Sequence, residues 1–218
     1  MVKLCIFDMD GTLVNTLNSI AYFANRALEH YGLPAIETER YKRMVGNGAD
    51  VLVQRMIDAV GGTREQYEQV RALYNKSYDD DFLYLTAPYD GVCDLLRELK
   101  SNGIKTAILS NKPDSTAQKV SDALFGSTLI DLCRGGRSGV PLKPDPQAVF
   151  QLQKALGAAP EECLYIGDTA TDIETAKNAG LFSIGVLWGF RDRAELTRAG
   201  ADAIIADPAE IAALARAR

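Results

Sequence analysis

The chain of 218 residues is 47% hydrophobic and 24% charged, with a formal net charge of −5. That is an ordinary globular composition, and folding at this length hides roughly 70% of the unfolded surface, so no metal or disulfide staple is needed. The negative balance argues against a nucleic-acid or anionic-membrane surface, and no apolar run is long enough to cross a bilayer.

In chain order, the first expected element is "LCIF", Leu4 to Phe7, an apolar strand running straight into Asp8 and then Asp10. The opening "MVKLCIFDMD" reaches a charge too soon for a secretory leader, so the expected location is the cytoplasm. Asn15 to Ala87 carries helical patterns and no strand, with breaks at Gly32, Gly46-Asn47-Gly48 and Gly61-Gly62. Within it, Thr63 and Gln66 have capping-box spacing. About 70 residues are too many for a connection and enough for a lid or small domain.

From Pro88 onward the pattern changes. Val92, Leu95, Leu96 and Leu99 fall at helical spacing before Gly103. "KTAIL" (105–109), a weaker "LIDLC" (129–133), "CLYI" (163–166), "FSIGV" (182–186) and "DAII" (202–205) read as strands. Asp145-Pro146 and Asp207-Pro208 read as helix starts. Strands alternating with helices predict an α/β fold, a doubly wound parallel sheet with a Rossmann-like core. That core takes residues 1–14 and 88–218, and residues 15–87 form an inserted, small all-helical cap.

Several chemistries are absent. Cys5, Cys93, Cys133 and Cys163 are scattered, with neither a C-x-x-C pair nor an Arg six residues beyond any of them. The only histidine, His30, sits in the expected last turn of a helix stopped by Gly32, which leaves no histidine-based catalysis. No phosphate-binding G-x-x-x-x-G-K-[ST] loop occurs.

The residues just past each expected strand carry the chemistry. In an open parallel sheet the binding crevice lies beyond the carboxyl ends of the strands. Asp8 and Asp10 come after the first strand, and Ser110, Asn111 and Lys112 after the second. Gly167 and Asp168 come after "CLYI", with Thr169 and Asp172 behind. Lys143 stands between prolines in "PLKPDP", where Pro144 disfavours helix at the lysine and Pro141 stiffens the approach. Three carboxylates in one crevice repel unless a cation joins them, and hard oxygen ligands suit Mg²⁺ better than zinc. Ser110, Asn111 and Lys143 offer donors and charge to an anionic oxygen.

Taken together and in this order, "DMDGTLV", "SNK", "LKPDP" and "GDTATD" resemble the four motifs of the haloacid dehalogenase-like hydrolase superfamily. "SNKP", "KPDP" and "VGNG" most resemble its phosphoglycolate phosphatase branch. The resemblance implies a Mg²⁺-dependent phosphatase in which Asp8 is the nucleophile and takes the phosphoryl group. Asp10 would be the general acid and then the base for water. It further implies metal ligation by Asp8, the Asp10 carbonyl and Asp168 with Asp172 and Thr169 in support, and phosphoryl contacts from Ser110, Asn111 and Lys143. An acid two residues after the nucleophile favours phosphate-ester chemistry over dehalogenation. Where relatives often carry another acid after Val14, this chain has Asn15. The expected partner is a small phosphorylated metabolite, with 2-phosphoglycolate first, acting on a monomer or homodimer. In the insert, Asn47 and Arg43 are the expected readers of the leaving group. A sugar-phosphate mutase or a pyrophosphatase is the alternative on the same core, and a silent binding module is the alternative outside enzymes.

Overall fold

The computed structural model describes residues 1–218. Strand β1 (Leu4–Phe7) is fully buried, and its chain turns back at Gly11 into β2 (Val14–Asn15). Four helices come next: α1 (Leu17–His30), α2 (Thr38–Tyr41), α3 (Ala49–Val60) and α4 (Arg64–Asp80). The chain returns through β3 (Ala87–Pro88), which pairs antiparallel with β2 through Val14↔Pro88 and Asn15↔Ala87. Asn15 therefore lies where the insert leaves the sheet. This two-stranded seam lies across the boundary of a stretch expected to hold no strand, and two residues are too few for any pattern to reveal.

The remaining elements are α5 (Val92–Ser101), β4 (Lys105–Pro113), α6 (Asp114–Leu124), α7 (Gly126–Leu129) and β5 (Leu132–Gly136). After them come α8 (Gln147–Leu156), β6 (Cys163–Gly167), α9 (Ala170–Asn178) and β7 (Phe182–Val186), then α10 (Arg193–Ala199), β8 (Ala203–Ile205) and α11 (Ala209–Ala217). The sheet order is β5-β4-β1-β6-β7-β8, and every pairing is parallel. Strand β1 is central, and the chain winds outward from it in both directions. The crevice at the carboxyl ends of β4, β1 and β6 is where such a sheet binds ligands.

Strand β5 begins three residues later than "LIDLC" suggests, because Leu129 closes a short helix and Asp131 turns its carboxylate back onto the Thr106 amide at 2.8 Å. Asp145 and Asp207 stand one residue short of the cap position, which Pro146 and Pro208 occupy; their carboxylates accept from the amides of Gln147 and Ala209 at 2.9 Å each, and each helix starts one residue later than the Asp-Pro pairs suggest. The capping box at Thr63 and Gln66 forms as expected.

Two apolar clusters cover the two faces of the six-stranded sheet. A third is drawn from residues 17–78, including Phe23, Tyr41, Met56 and Tyr74, and takes only Phe190 from outside the insert. An all-helical segment of this size needs such a core of its own, since its helices hold together by burying one apolar face each.

Candidate active site

The rim begins with Asp8, one residue past β1, whose amide still donates to the Ile166 carbonyl at 2.9 Å as if the strand continued. Its side chain is thereby fixed at the strand mouth, where Oδ1 accepts from the Met9 amide at 2.7 Å. Lys143 reaches the same oxygen at 2.8 Å and Asp172 Oδ1 at 2.8 Å. With its side chain only 3% exposed, Lys143 is a buried ammonium clamped between two carboxylates. Burial alone would lower its pKa, and the opposing pull of Asp172 and Asp8 holds it well above the usual lysine value.

Asp168, at the end of β6, is fully buried. Its Oδ1 accepts from the Thr12 hydroxyl at 3.2 Å and its Oδ2 from the Phe190 amide at 2.8 Å. The loop that carries Phe190 is pinned by Trp188, whose indole donates to the Thr12 carbonyl at 2.9 Å. Burial, with Asp172 beside it, pushes the Asp168 carboxyl up to about 7. Asp8 is likewise raised well above the ordinary range, by burial first and then by Asp172. Asp172 Oδ2 accepts from both the amide (3.1 Å) and the hydroxyl (2.7 Å) of Thr169.

Space around Asp168 is provided by two glycines. A Cβ on Gly11, which also has φ +90°, would lie 2.8 Å from the Asp168 carboxyl carbon. One on Gly189 would lie 2.6 Å from Asp168 Oδ2 and closer still to the Gly11 carbonyl.

The arrangement suits a divalent cation. Carboxylate oxygens of Asp8, Asp168 and Asp172 all lie within 4.8 Å of one another, and all three residues are buried. Three carboxylates against one lysine leave a deficit of two positive charges, and this repulsion adds to burial, the larger cause, in raising the pKa values at Asp8 and Asp168. An all-oxygen donor set points to a hard ion of the Mg²⁺ type.

Asp8 and Asp10 both face a cavity of about 360 Å³ between this rim and helices α1, α3 and α4. Asp10 is held by Lys112, whose Nζ lies 3.0 Å from each carboxylate oxygen. Ser110 also lines the cavity, and its hydroxyl accepts from the Lys112 amide at 3.2 Å. Asn111 is spent differently from the expectation. Its side chain clamps the Lys143 backbone, accepting from the amide at 2.9 Å and donating to the carbonyl at 3.2 Å, and it also donates to the Gly46 carbonyl at 3.0 Å. The Asn111 amide group thus aims the lysine loop and ties it to the insert.

The expected readers in the insert lie elsewhere. Asn47 donates to Thr171 at 3.4 Å and accepts from Arg55 at 2.9 Å, and Arg43 is exposed. Neither lines the cavity, whose walls from the insert come instead from Gly46, Gly48, Leu52, Tyr74, Asn75 and Tyr78. Gly46 and Gly48 bring the loop backbone to the cavity, with the Gly46 carbonyl on Asn111, while the intervening Asn47 side chain is taken up by Thr171 and Arg55.

Sequence reasoning also missed Thr12, Phe190 and Arg191. Arg191 donates to the carbonyls of Lys42 and Val45, the latter at 3.0 Å, and pairs with Glu195 at 3.2 Å. Backbone donors leave no pattern in a sequence, and only the "WGF" glycine offered a signal.

The family model for haloacid dehalogenase-like hydrolases matches residues 2–180. The chain belongs to that family. It is a hydrolase, and its kinship lies with the family's phosphatases. A phosphoglycolate phosphatase of Mannheimia succiniciproducens is 32% identical over 215 residues, covering 96% of each chain. One from Aquifex aeolicus is 33% identical over 189 residues, 87% of this chain and 86% of the relative. Among solved structures, a predicted phosphoglycolate phosphatase from Haemophilus somnus superposes with a TM-score of 0.91 at 30% identity, covering 98% of this chain and 97% of that one.

Proposed function

We propose that this haloacid dehalogenase-like hydrolase is a Mg²⁺-dependent phosphatase acting on a small phosphorylated metabolite, 2-phosphoglycolate first among them. The observation that carries the reading is the convergence of Asp8, Lys143 and Asp168 at one buried rim, with Asp10 facing the same cavity as Asp8. The names of the relatives support the choice of substrate.

In this reading an Asp8 oxygen attacks phosphorus and forms an aspartyl-phosphate. Asp10 gives its proton to the departing alkoxide and then takes one from the water that hydrolyses the intermediate. Lys143, Ser110 and the backbone at Asn111 hold the phosphoryl oxygens, and the Asn111 side chain keeps Lys143 in place. Asp8, Asp168 and the Asp10 carbonyl hold the metal, with Asp172 and Thr169 behind them. When bound, the ion neutralises phosphoryl charge and the repulsion between phosphate and the attacking carboxylate. Residues 15–87 serve as a cap that closes the cavity over the substrate, joined to the core (1–14 and 88–218) through the β2–β3 seam. No helix is long and apolar enough to cross a membrane, which suits a cytoplasmic enzyme working on a dissolved metabolite.

Uncatalysed hydrolysis of phosphate monoesters is so slow that accelerations on the order of 10²¹ are known, and positioning, charge and proton transfer must each contribute powers of ten. The test is release of inorganic phosphate from 2-phosphoglycolate with Mg²⁺, its loss on chelation, and its loss in Asp8→Asn. Full turnover by Asp8→Asn would end the nucleophile assignment. A mutase would instead interconvert sugar phosphates while releasing little phosphate.

A further inference from the structure

The loop between α2 and α3, residues 42–48, belongs to the insert by sequence, yet side chains of the core grip its backbone. Arg191 donates to the Lys42 carbonyl and, at 3.0 Å, to the Val45 carbonyl. One residue on, the Gly46 carbonyl accepts from the Asn111 side chain at 3.0 Å. From within the insert, Arg55 donates to the Met44 carbonyl at 2.7 Å and to the Asn47 side chain at 2.9 Å. With the carbonyls of residues 42, 44, 45 and 46 all engaged, the loop cannot shift without breaking several bonds at once.

Each of the two core anchors leads directly to the rim. Asn111 clamps the Lys143 backbone, and the Lys143 ammonium holds Asp8 and Asp172. Arg191 follows Phe190, whose amide holds Asp168 Oδ2 at 2.8 Å while its ring is buried in the apolar core of the insert. Arg191 also pairs with Glu195, which accepts from the Ala170 amide at 3.3 Å, at the start of the helix that carries Asp172. The adjacent carbonyls of Val45 and Gly46 thus join the Asp168 side of the rim to its Lys143 side. Arg191 does not line the cavity, so any effect it has on the site passes through its neighbours.

We infer that Arg191 is a positioning residue that, through the Val45–Gly46 backbone and Asn111, links the two sides of the rim by way of the insert, so that docking of the insert and occupation of the rim reinforce each other. The inference rests on the metal and phosphoryl assignments of the proposed function and adds the route by which the insert feels them. An ion that fixes the Asp168 carboxylate also fixes the Phe190 amide bonded to it, and Arg191 is the next residue in the chain. Partners of this kind, one bond behind a metal ligand, orient the ligand and tune its affinity. Linkage makes the effect reciprocal: if the ion steadies the loop, the docked loop strengthens binding of the ion by the same factor.

The experiment is hydrogen exchange of the full chain across residues 42–48, measured alone, with Mg²⁺ and with inorganic phosphate, in wild type, Arg191→Met and Asn111→Ala. In wild type each ligand should slow exchange of the loop. In Arg191→Met the slowing by Mg²⁺ should be lost while the slowing by phosphate persists through Asn111, and in Asn111→Ala the slowing by phosphate should be lost. Calorimetry should show the Mg²⁺ dissociation constant of Arg191→Met raised about fivefold or more, the low end of typical coupling between sites. A merely structural arginine would speed exchange equally with and without Mg²⁺ and leave the affinity unchanged. Slowing by Mg²⁺ that survives in Arg191→Met, or an unchanged dissociation constant, overturns the inference. If Arg191→Met melts well below wild type, Arg191→Lys keeps the charge without spanning both carbonyls, and a full Mg²⁺ response there overturns it too. If wild type binds no Mg²⁺, the metal assignment fails instead. The phosphate arm then decides: slowing lost in Asn111→Ala supports the link through the insert, and slowing retained there refutes it.

Discussion

Replacing Lys143 with methionine tests the electrostatic reasoning most directly. The ammonium is the only cation in contact with Asp8 and Asp172, at 2.8 Å from each, and the three side chains are 3%, 8% and 0% exposed. Methionine keeps much of the volume and removes the charge, leaving two buried carboxylates facing one another. Breaking a buried pair by removing one partner costs about 3–5 kcal/mol. In a protein of this size each kcal/mol moves the melting temperature by about 2–4 °C, so a fall of about 10 °C is expected without metal. The assay is thermal unfolding in excess chelator, read by circular dichroism. The double variant Lys143→Met, Asp172→Asn removes one of the two orphaned charges and should recover at least half of the loss. A single variant melting within about 2 °C of wild type would refute the picture of a buried charge cluster held by Lys143. So would a double variant no better than the single one.

Three further outcomes are expected. In Gly189→Ala the new methyl must displace either Asp168 Oδ2, at 2.6 Å, or the Gly11 backbone, so Mg²⁺ affinity by calorimetry should fall at least about tenfold. Since Asp168 in the folded, metal-free chain has its pKa raised from 3.8 to about 7, it contributes stability that is present below about pH 4 and lost as pH rises through about 7. The difference in urea midpoint between wild type and Asp168→Asn, measured in chelator, should therefore shift against wild type across that window, and a flat difference would contradict it. Arg191→Ala removes the ties to the Lys42 and Val45 carbonyls, which should loosen the insert on the sheet. Faster hydrogen exchange across residues 42–48 and a KM several-fold higher are expected, and unchanged exchange would show that the ties carry no load.

How much of the molecule was legible beforehand depends on the kind of interaction involved. The parallel sheet could be read because its strands are apolar runs ended by polar residues, as "LCIF" is by Asp8 and "CLYI" by Gly167-Asp168. The four polar clusters could be read as one site because strand mouths in such a sheet share an edge. The β2–β3 seam and the start of β5 could not, since two-residue pairings and a carboxylate folded back onto an amide depend on partners far along the chain.

The assignments that required coordinates are those in which a residue's type left several uses open. Asn111 could donate to phosphate or to protein, and its burial beside the Lys143 backbone decided for protein. Asn47 could face either way, and glycines on both sides turned it toward Thr171. Lys112 was one of three polar residues in the last part of β4, which runs past the expected end at Leu109, and only packing set it on Asp10 beside the Tyr78 ring.

By itself the sequence determined which chemical groups arrive at the rim, because covalent order and strand periodicity dictate the residues that end each strand. Tertiary structure alone decided which of those groups face the cavity and which are consumed in holding it. Hydrogen-bond saturation of a buried side chain is settled by its neighbours in space, and the partners Thr12 and Asp168 lie 156 positions apart in the chain.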